Sequence, residues 1–255
     1  MVYLTGDYHG GAEQPKLNRH FFPEGQRLTR DDYVIVLGDF GLPWDLDFDG
    51  NPCPEDRDNL RWLAEQPWTT LFIDGNHENH DYLDKLRVRE WHGGLVHRLP
   101  GFPSILHLMR GQVFELEGHA LLTMGGATSP DAAWRVEGET WFARELPSET
   151  EQATCLASLA AHGNRVDYVL THTFANRMLR AAVGPAGAGS SPWTDSLTDF
   201  LDQLEDVLRP DGYRRWYGGH FHDDRDLDER HTLLFDAIVP LGGSLADRVG
   251  QSWRN

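Results

Sequence analysis

With 255 residues, 40% apolar and 11% aromatic content, the chain is long enough to bury a sizeable core as one large domain, and it holds no run of about 18 apolar residues that would span a membrane. Forty Asp and Glu against 23 Lys and Arg set a net charge of -17, a field that repels nucleic acid and anionic membranes and makes any phosphate-bearing ligand dependent on bound cations. Two cysteines, Cys53 and Cys155, are a poor basis for a disulfide framework or a thiolate metal site, whereas 13 histidines are a rich supply of imidazole ligands.

Val2 to Thr5, Tyr33 to Leu37 and Leu71 to Ile73 are apolar, β-branched or aromatic runs that stop at Gly6-Asp7, Gly38-Asp39 and Asp74-Gly75, as buried strands ending in polar turns do. Strand-like residues begin at Val2 with no basic region before them, so a cytoplasmic protein is expected. Helix-like stretches, Glu55 to Gln66 and Glu78 to Leu86, alternate with these strands, the pattern of a layered α/β fold. Ser104 to Met109, Gln112 to Leu116 and His119 to Met124 are divided by Arg110-Gly111 and Glu117-Gly118, which predicts an antiparallel meander and a mixed sheet. A helix follows from Ser148 to Ala161, capped by Ser148 or Thr150, then a strand from Val166 to Leu170 that ends at Thr171-His172. The small-residue stretch Gly184 to Pro192 reads as a surface loop and Asp195 to Leu208 as an amphipathic helix. Tyr213 to Tyr217 is a strand leading into Gly218-Gly219-His220-Phe221-His222, and Thr232 to Val239 is the last strand. With no internal repeat and no boundary for a second domain, residues 1–255 are expected to form a single domain.

Five polar blocks stand at strand ends, where α/β sheets place their ligands: Asp7-Tyr8-His9, Gly38-Asp39, Gly75-Asn76-His77-Glu78, Thr171-His172 and Gly219-His220-Phe221-His222. Asp7 and Asp39 offer carboxylates, Asn76 an amide oxygen, and His9, His77, His172, His220 and His222 imidazoles, a set suited to first-row divalent metals rather than calcium. Singly, each block has an ordinary alternative as an Asx turn, a helix cap or a satisfied core histidine. Jointly they favour a metal site, because turns do not require a histidine after Thr171 or a pair of them after Gly219.

In order and spacing, the blocks DxH, GD, GNH followed by an acidic residue, a lone His and GHxH make the chain resemble the calcineurin-like metallophosphoesterases from Asp7 to His222. The resemblance implies a four-layer α/β/β/α sandwich of two mixed sheets and a hydrolase that uses two divalent transition metal ions, Mn, Fe, Co or Zn, with Mn favoured. By matched position it implies that Asp7, His9 and His222 bind one ion, that Asn76, His172 and His220 bind the other, and that Asp39 bridges them. A bridging hydroxide between ions roughly 3.5 to 4 Å apart would attack phosphorus in line. His77 matches the residue thought to protonate the leaving group, and Glu78 or Asp74 could orient its ring. Gly219 would let the backbone bend close to the metals, and Phe221 would face elsewhere.

Gly125 to Asp131, followed by Arg135, resembles a GGAxSxD segment of bacterial and phage-type members. Arg135 is therefore a candidate substrate-binding residue that clamps a phosphate oxygen, with an ion pair to Asp131 or Glu137 as its alternative. Trp44, Trp134, Trp141 and Phe142 could line a substrate cleft or serve as core, and the acidic loop Asp45, Asp47, Asp49 and Asp56 lacks the glycine and glutamate of a calcium loop. Gly38 to Asp45 lacks the fuller GDxxDR text, which weakens protein serine/threonine phosphatase activity, and no tyrosine follows Asp39 in its loop, which disfavours an iron-tyrosinate site. The expected substrate is a small phosphate mono- or diester, with no membrane or nucleic-acid partner and the oligomeric state open. The alternatives are a phosphodiesterase or nuclease acting on nucleotides, and a catalytically inactive metal-binding scaffold.

Overall fold

A computed structural model describes residues 1–183, 193–208 and 211–254, so the loop expected at 184–192 lies outside the described residues. Among them run strands β1 (Val2–Thr5), β2 (Tyr33–Leu37), β3 (Thr69–Ile73), β4 (Val88–Trp91), β5 (Gly94–Arg98), β6 (Ile105–Leu108), β7 (Gln112–Leu116), β8 (His119–Met124), β9 (Tyr168–Thr171), β10 (Arg215–Gly218), β11 (Arg225–Asp226), β12 (His231–Leu233) and β13 (Ile238–Pro240). They form a seven-stranded sheet of order β13-β1-β2-β3-β6-β5-β4 and a six-stranded sheet of order β11-β12-β10-β9-β8-β7. Both sheets are mixed: β1, β2, β3 and β6 run parallel in the first and β8, β9, β10 and β12 in the second, with antiparallel strands at the edges.

Both faces of the central strands are covered, which is why their sequences are continuous apolar runs rather than alternations. In β2, Ile35 and Leu37 point into the core between the sheets, where they meet Phe114, Leu121 and Leu170 of the second sheet. Val34 and Val36 point outward to a second core closed by Leu60 and Leu63 of helix α1 (Pro54–Glu65). The outer face of the second sheet buries Leu122 and Val169 against the remaining helices. After the short α2 (His80–Leu83) these are α3 (Glu149–Ala161), α4 (Asn176–Val183) and α5 (Ser196–Leu208). In α5, Leu197, Leu201, Leu204 and Leu208 repeat at helical spacing and are all buried. The layers are thus helix, sheet, sheet, helix, the expected four-layer architecture. Ser148 is the cap of α3, in a capping box with Glu151. No helix among the described residues is long and apolar enough to cross a membrane.

Three expectations are corrected. The three runs from Ser104 to Met124 do not form one meander: β6 pairs with β3 and β5 in the first sheet, and the chain changes sheets at Arg110-Gly111 before the β7-β8 hairpin. The run Thr232 to Val239 is likewise two strands in different sheets, parted where the Asp224 carboxylate accepts hydrogen bonds from the backbone N–H of Phe235 at 2.7 Å and of Ala237 at 3.0 Å. The helix expected over Glu78 to Leu86 shrinks to α2, because Asn79 caps it by accepting from Tyr82 N at 2.9 Å while the Glu78 carboxylate is engaged elsewhere. The β4-β5 hairpin, turning at His92-Gly93, was not anticipated: Val88, Arg89 and Glu90 are exposed, so β4 lacks the apolar signature of the other strands.

Candidate metal centre

Strands β1, β2, β3, β9 and β10 deliver their following loops to one edge of the sandwich, and the two sheets are tied there by His172, whose Nδ1 donates to the Leu37 carbonyl at 2.7 Å. The loops are so close that side chains cannot fit at the glycines between them. A Cβ on Gly38, which has φ +91°, would fall 2.2 Å from His172 Nδ1, and one on Gly75 would fall 2.1 Å from Asp39 Oδ1. His9, Asp39, His220 and His222 adopt left-handed backbone at φ 43°, 47°, 73° and 49° without being glycine. Such conformations cost on the order of 1 to 3 kcal/mol each and persist where surrounding contacts over-determine them.

Those contacts are identifiable. The buried Glu78 carboxylate accepts from the backbone N–H of Phe40 at 2.7 Å and Gly41 at 2.9 Å, which holds the loop that carries Asp39. Lys16, also buried, donates from Nζ to the carbonyls of Asp7 at 2.6 Å and Phe235 at 2.7 Å. The backbone N–H of His77 donates to Asp39 Oδ1 at 2.7 Å, and that of His220 to Asp7 Oδ1 at 3.1 Å.

The potential ligand atoms gather in two groups that share Asp39: Asp7, His9, Asp39 and His222 in one, Asp39, His172 and His220 in the other, each within 4.8 Å. Asp39 turns Oδ2 to His9 Nε2 at 3.3 Å and Oδ1 to His172 Nε2 at 3.1 Å, one oxygen per group. Asn76 Oδ1 joins the second group, 3.3 Å from His172 Nε2, while its Nδ2 donates to Ser129 Oγ at 3.2 Å. His9 Nδ1 donates to Glu13 Oε2 at 3.0 Å, so both His9 and His172 have the far nitrogen engaged and present Nε2 to the centre, the arrangement that orients metal-binding imidazoles. Asp7 Oδ2 is buried and has no hydrogen bond of full geometry, with His222 Nε2 3.1 Å away. An orphaned carboxylate oxygen among nitrogen and oxygen donors fits a first-row divalent cation.

Charge agrees with geometry. Burial opposes ionisation of Asp39, yet His172 and His9 outweigh it and hold the carboxyl well below its ordinary value. Burial likewise opposes the imidazolium of His9 and of His172, but neighbouring carboxylates push His9 up to about 10 and His172 up to about 9. His220 is driven down to about 3, by burial first and then by the charge of His172. Two carboxylates away from water therefore draw positive charge to themselves, a demand that divalent cations would meet by displacing the ring protons.

All seven residues expected as ligands, and His77, meet at this edge. His77 is oriented by neither Glu78 nor Asp74: the first holds the Asp39 loop, and the second pairs with Arg110 Nε at 2.7 Å and His107 Nε2 at 3.1 Å. Its Nδ1 instead faces Arg135 Nη1 at 3.4 Å, and since a guanidinium only donates, the proton of a neutral ring lies on Nε2. Burial, with help from Arg135, lowers the His77 pKa. Of the two alternatives for Arg135, the ion pair is present, its Nε lying 2.9 Å from Asp131, and the side chain also lines a cavity of about 400 Å³ with Asp39, Asn76, His77 and His220.

The aromatic residues of that cavity are Trp193 and Phe221; Trp44, Trp134, Trp141 and Phe142 do not line it among the described residues. Trp134 is 90% exposed, and Phe142 is buried against Trp44. Phe221 thus lines the site, contrary to expectation, between His220 and His222, both in left-handed backbone. Glu13, Ser129 and Lys16 were also missed as site residues; Glu13, four residues after His9, and Ser129, within the GGAxSxD segment, carried a local signal, and Lys16 carried none.

No curated protein matches the chain significantly. The calcineurin-like phosphoesterase family model matches residues 1–224, which include every residue of both groups and His77. The chain accordingly belongs to the calcineurin-like phosphoesterase family, and with that family it is a metal-dependent phosphoester hydrolase.

Proposed function

We propose that the protein is a dinuclear phosphoesterase that hydrolyses mono- or diesters of small phosphate compounds in the cytoplasm. The observation that carries this reading is the placement of Asp39, one carboxylate oxygen toward each ligand group. Asp7, His9 and His222 would hold one ion and Asn76, His172 and His220 the other, with Asp39 common to both. When bound, two transition ions, Mn before Fe, Co or Zn, supply an acidified water and offset charge on the phosphoryl oxygens.

The remaining work falls to side chains. In the neutral ring, Arg135 at Nδ1 leaves the proton on Nε2, from which His77 would hydrogen-bond to the leaving oxygen; full proton transfer would require the imidazolium, a form that burial and Arg135 both disfavour. Arg135 also presents its guanidinium to a phosphate in the cavity, although its pairing with Asp131 reduces the charge it can lend. A cavity of about 400 Å³ is of a size that takes small molecules. The net charge of -17 disfavours nucleic acid, and retention of His77 beside a full ligand set favours an enzyme over an inactive scaffold.

The test is metal content with turnover. Protein reconstituted with Mn is expected to bind two equivalents and to hydrolyse p-nitrophenyl phosphate or its bis ester. Asp39→Asn is expected to lower both metal content and rate, the rate at least about a hundredfold, with circular dichroism unchanged. One equivalent in the wild type, or an unaltered Asp39→Asn rate, would remove the shared-carboxylate reading.

A further inference from the structure

The lining of the 400 Å³ cavity divides by chemistry. Asn76, His77 and Arg135 are its polar portion, adjoining the ligand groups, while Val183, Trp193 and Phe221 make an apolar portion. The Trp193 indole meets His220 edge-on at 5.2 Å between ring centres and Phe221 at 5.6 Å, and His220 meets His172 at 5.0 Å. A half-buried indole therefore stands one ring away from the Asp39, His172 and His220 group, within reach of whatever is esterified to a phosphoryl group there. Arg135 is the one Arg or Lys among the described lining residues and is already paired with Asp131, so the cavity offers little to a second phosphate or a carboxylate on the substrate. An aromatic surface beside a phosphate site, with no spare cation among the described residues, favours a flat ring, which covers an indole face more fully than a puckered furanose or a serine side chain can.

We propose that the organic group of the substrate is a flat aromatic ring, a nucleobase or a phenol, stacked on Trp193 with Phe221 beside it. Phosphosugars and phosphoserine are then poor substrates. The proposal rests on the phosphoesterase reading of the same centre and specifies its substrate class.

The experiment uses Mn-loaded protein and pairs of esters. AMP and ribose 5-phosphate share a primary leaving oxygen and differ by the base alone; wild type is expected to favour AMP in kcat/KM by about tenfold or more. Trp193→Ala, and Trp193→Leu, which keeps bulk without the flat face, are expected to bring that ratio to about one, while Trp193→Phe retains most of it. Phosphotyrosine and phosphoserine, compared by how far each changes between wild type and Trp193→Ala, identify a phenol as the ring source when only phosphotyrosine suffers. Ratios that Trp193 substitutions leave unaltered in both pairs overturn the proposal. Calorimetric titration of the Mn-loaded protein with AMP and ribose 5-phosphate gives a reading independent of turnover. Tighter binding of AMP that is lost in Trp193→Ala supports the aromatic wall even if no ester is hydrolysed, in which case the phosphoesterase reading alone fails; affinities that Trp193→Ala leaves unchanged overturn the wall even if hydrolysis is rapid.

Discussion

The two ligand groups share Asp39 and differ in almost everything around it. On one side, the side chain of His222 is 53% exposed and that of His9 21%, and their supports come from the end of the chain. Phe235 stacks on His222 at 4.6 Å, and Arg254 lies over the Phe235 ring while donating to Glu13, the partner of His9, at 2.8 Å. Phe235 and Arg254 lie beyond residues 1–224, the stretch that the family model matches. On the other side His172 is fully buried, and its supports are the Leu37 carbonyl in the first sheet and, through Asn76, the Ser129 hydroxyl that donates to the buried Glu145 at 2.7 Å. Although Asp7 is buried, the imidazoles of its group are braced from the surface, whereas the other group is braced from the core. An ion held by the core-braced group should exchange slowly, and one held by the surface-braced group should respond to changes at the periphery.

The largest test of that difference is His172→Ala. It removes a buried candidate ligand together with the hydrogen bond between the sheets, so loss of one ion should come with loss of fold stability, about 1 to 3 kcal/mol, read by denaturant unfolding. His222→Ala should cost turnover and one ion as well, yet leave unfolding within about 0.5 kcal/mol of wild type, because the exposed ring contributes little to the core. Equal destabilisation by the two substitutions would show that both groups are structural to the same degree.

Peripheral support gives a smaller effect. Arg254→Ala frees Glu13, and Glu13→Gln weakens its hold on His9 Nδ1; each should lower the affinity of the more weakly bound ion by about 10- to 100-fold. Excess Mn should restore turnover in both variants, and the more tightly bound ion should titrate as in wild type. Parallel weakening of both ions would erase the distinction between surface and core bracing.

The residues of the two groups were legible in the sequence because each block follows a continuous apolar run and because carboxylate, amide and imidazole at strand ends are types that coordination chemistry calls for and packing does not. Glu13 was legible in principle through its i+4 spacing from His9. Arg254, Glu145 and Trp193 were not, since each acquires its role from contacts made far along the chain: Arg254 meets Glu13 across 241 positions, and Ser129, which carries Glu145's hold, meets Asn76 across 53. The fold was legible to a similar extent. Central strands buried on both faces are unmistakable as runs, but a run does not disclose where it changes sheets. The break within Thr232 to Val239 is imposed by the Asp224 carboxylate on backbone N–H groups of Phe235 and Ala237, and the change of sheet at Arg110 accompanies its pairing with Asp74. Neither contact has a periodic signature.

The smallest effect expected is also the most selective, at Ser129. Asn76 has an amide whose two ends are nearly equal in size, and a metal can use only the oxygen. Ser129 Oγ gives its own hydrogen to Glu145 Oε2, so toward Asn76 it can only accept, which places Nδ2 there and leaves Oδ1 for the ligand group. Ser129→Ala abolishes that discrimination, while the Ser129 backbone N–H still donates to Glu145 Oε1 at 2.9 Å, so the fold should persist. Affinity for the ion at the Asn76 side should fall by about tenfold, with the other ion unaffected. This is the mirror image of Arg254→Ala: one variant loosens the core-braced ion alone, the other the surface-braced ion alone. Competition titrations with a chelator resolve two ions of different affinity, and Ser129→Ala should draw the two affinities together where Arg254→Ala drives them apart. If both variants shift the same ion, Asp39 couples the groups so tightly that their separate supports have no separate consequence.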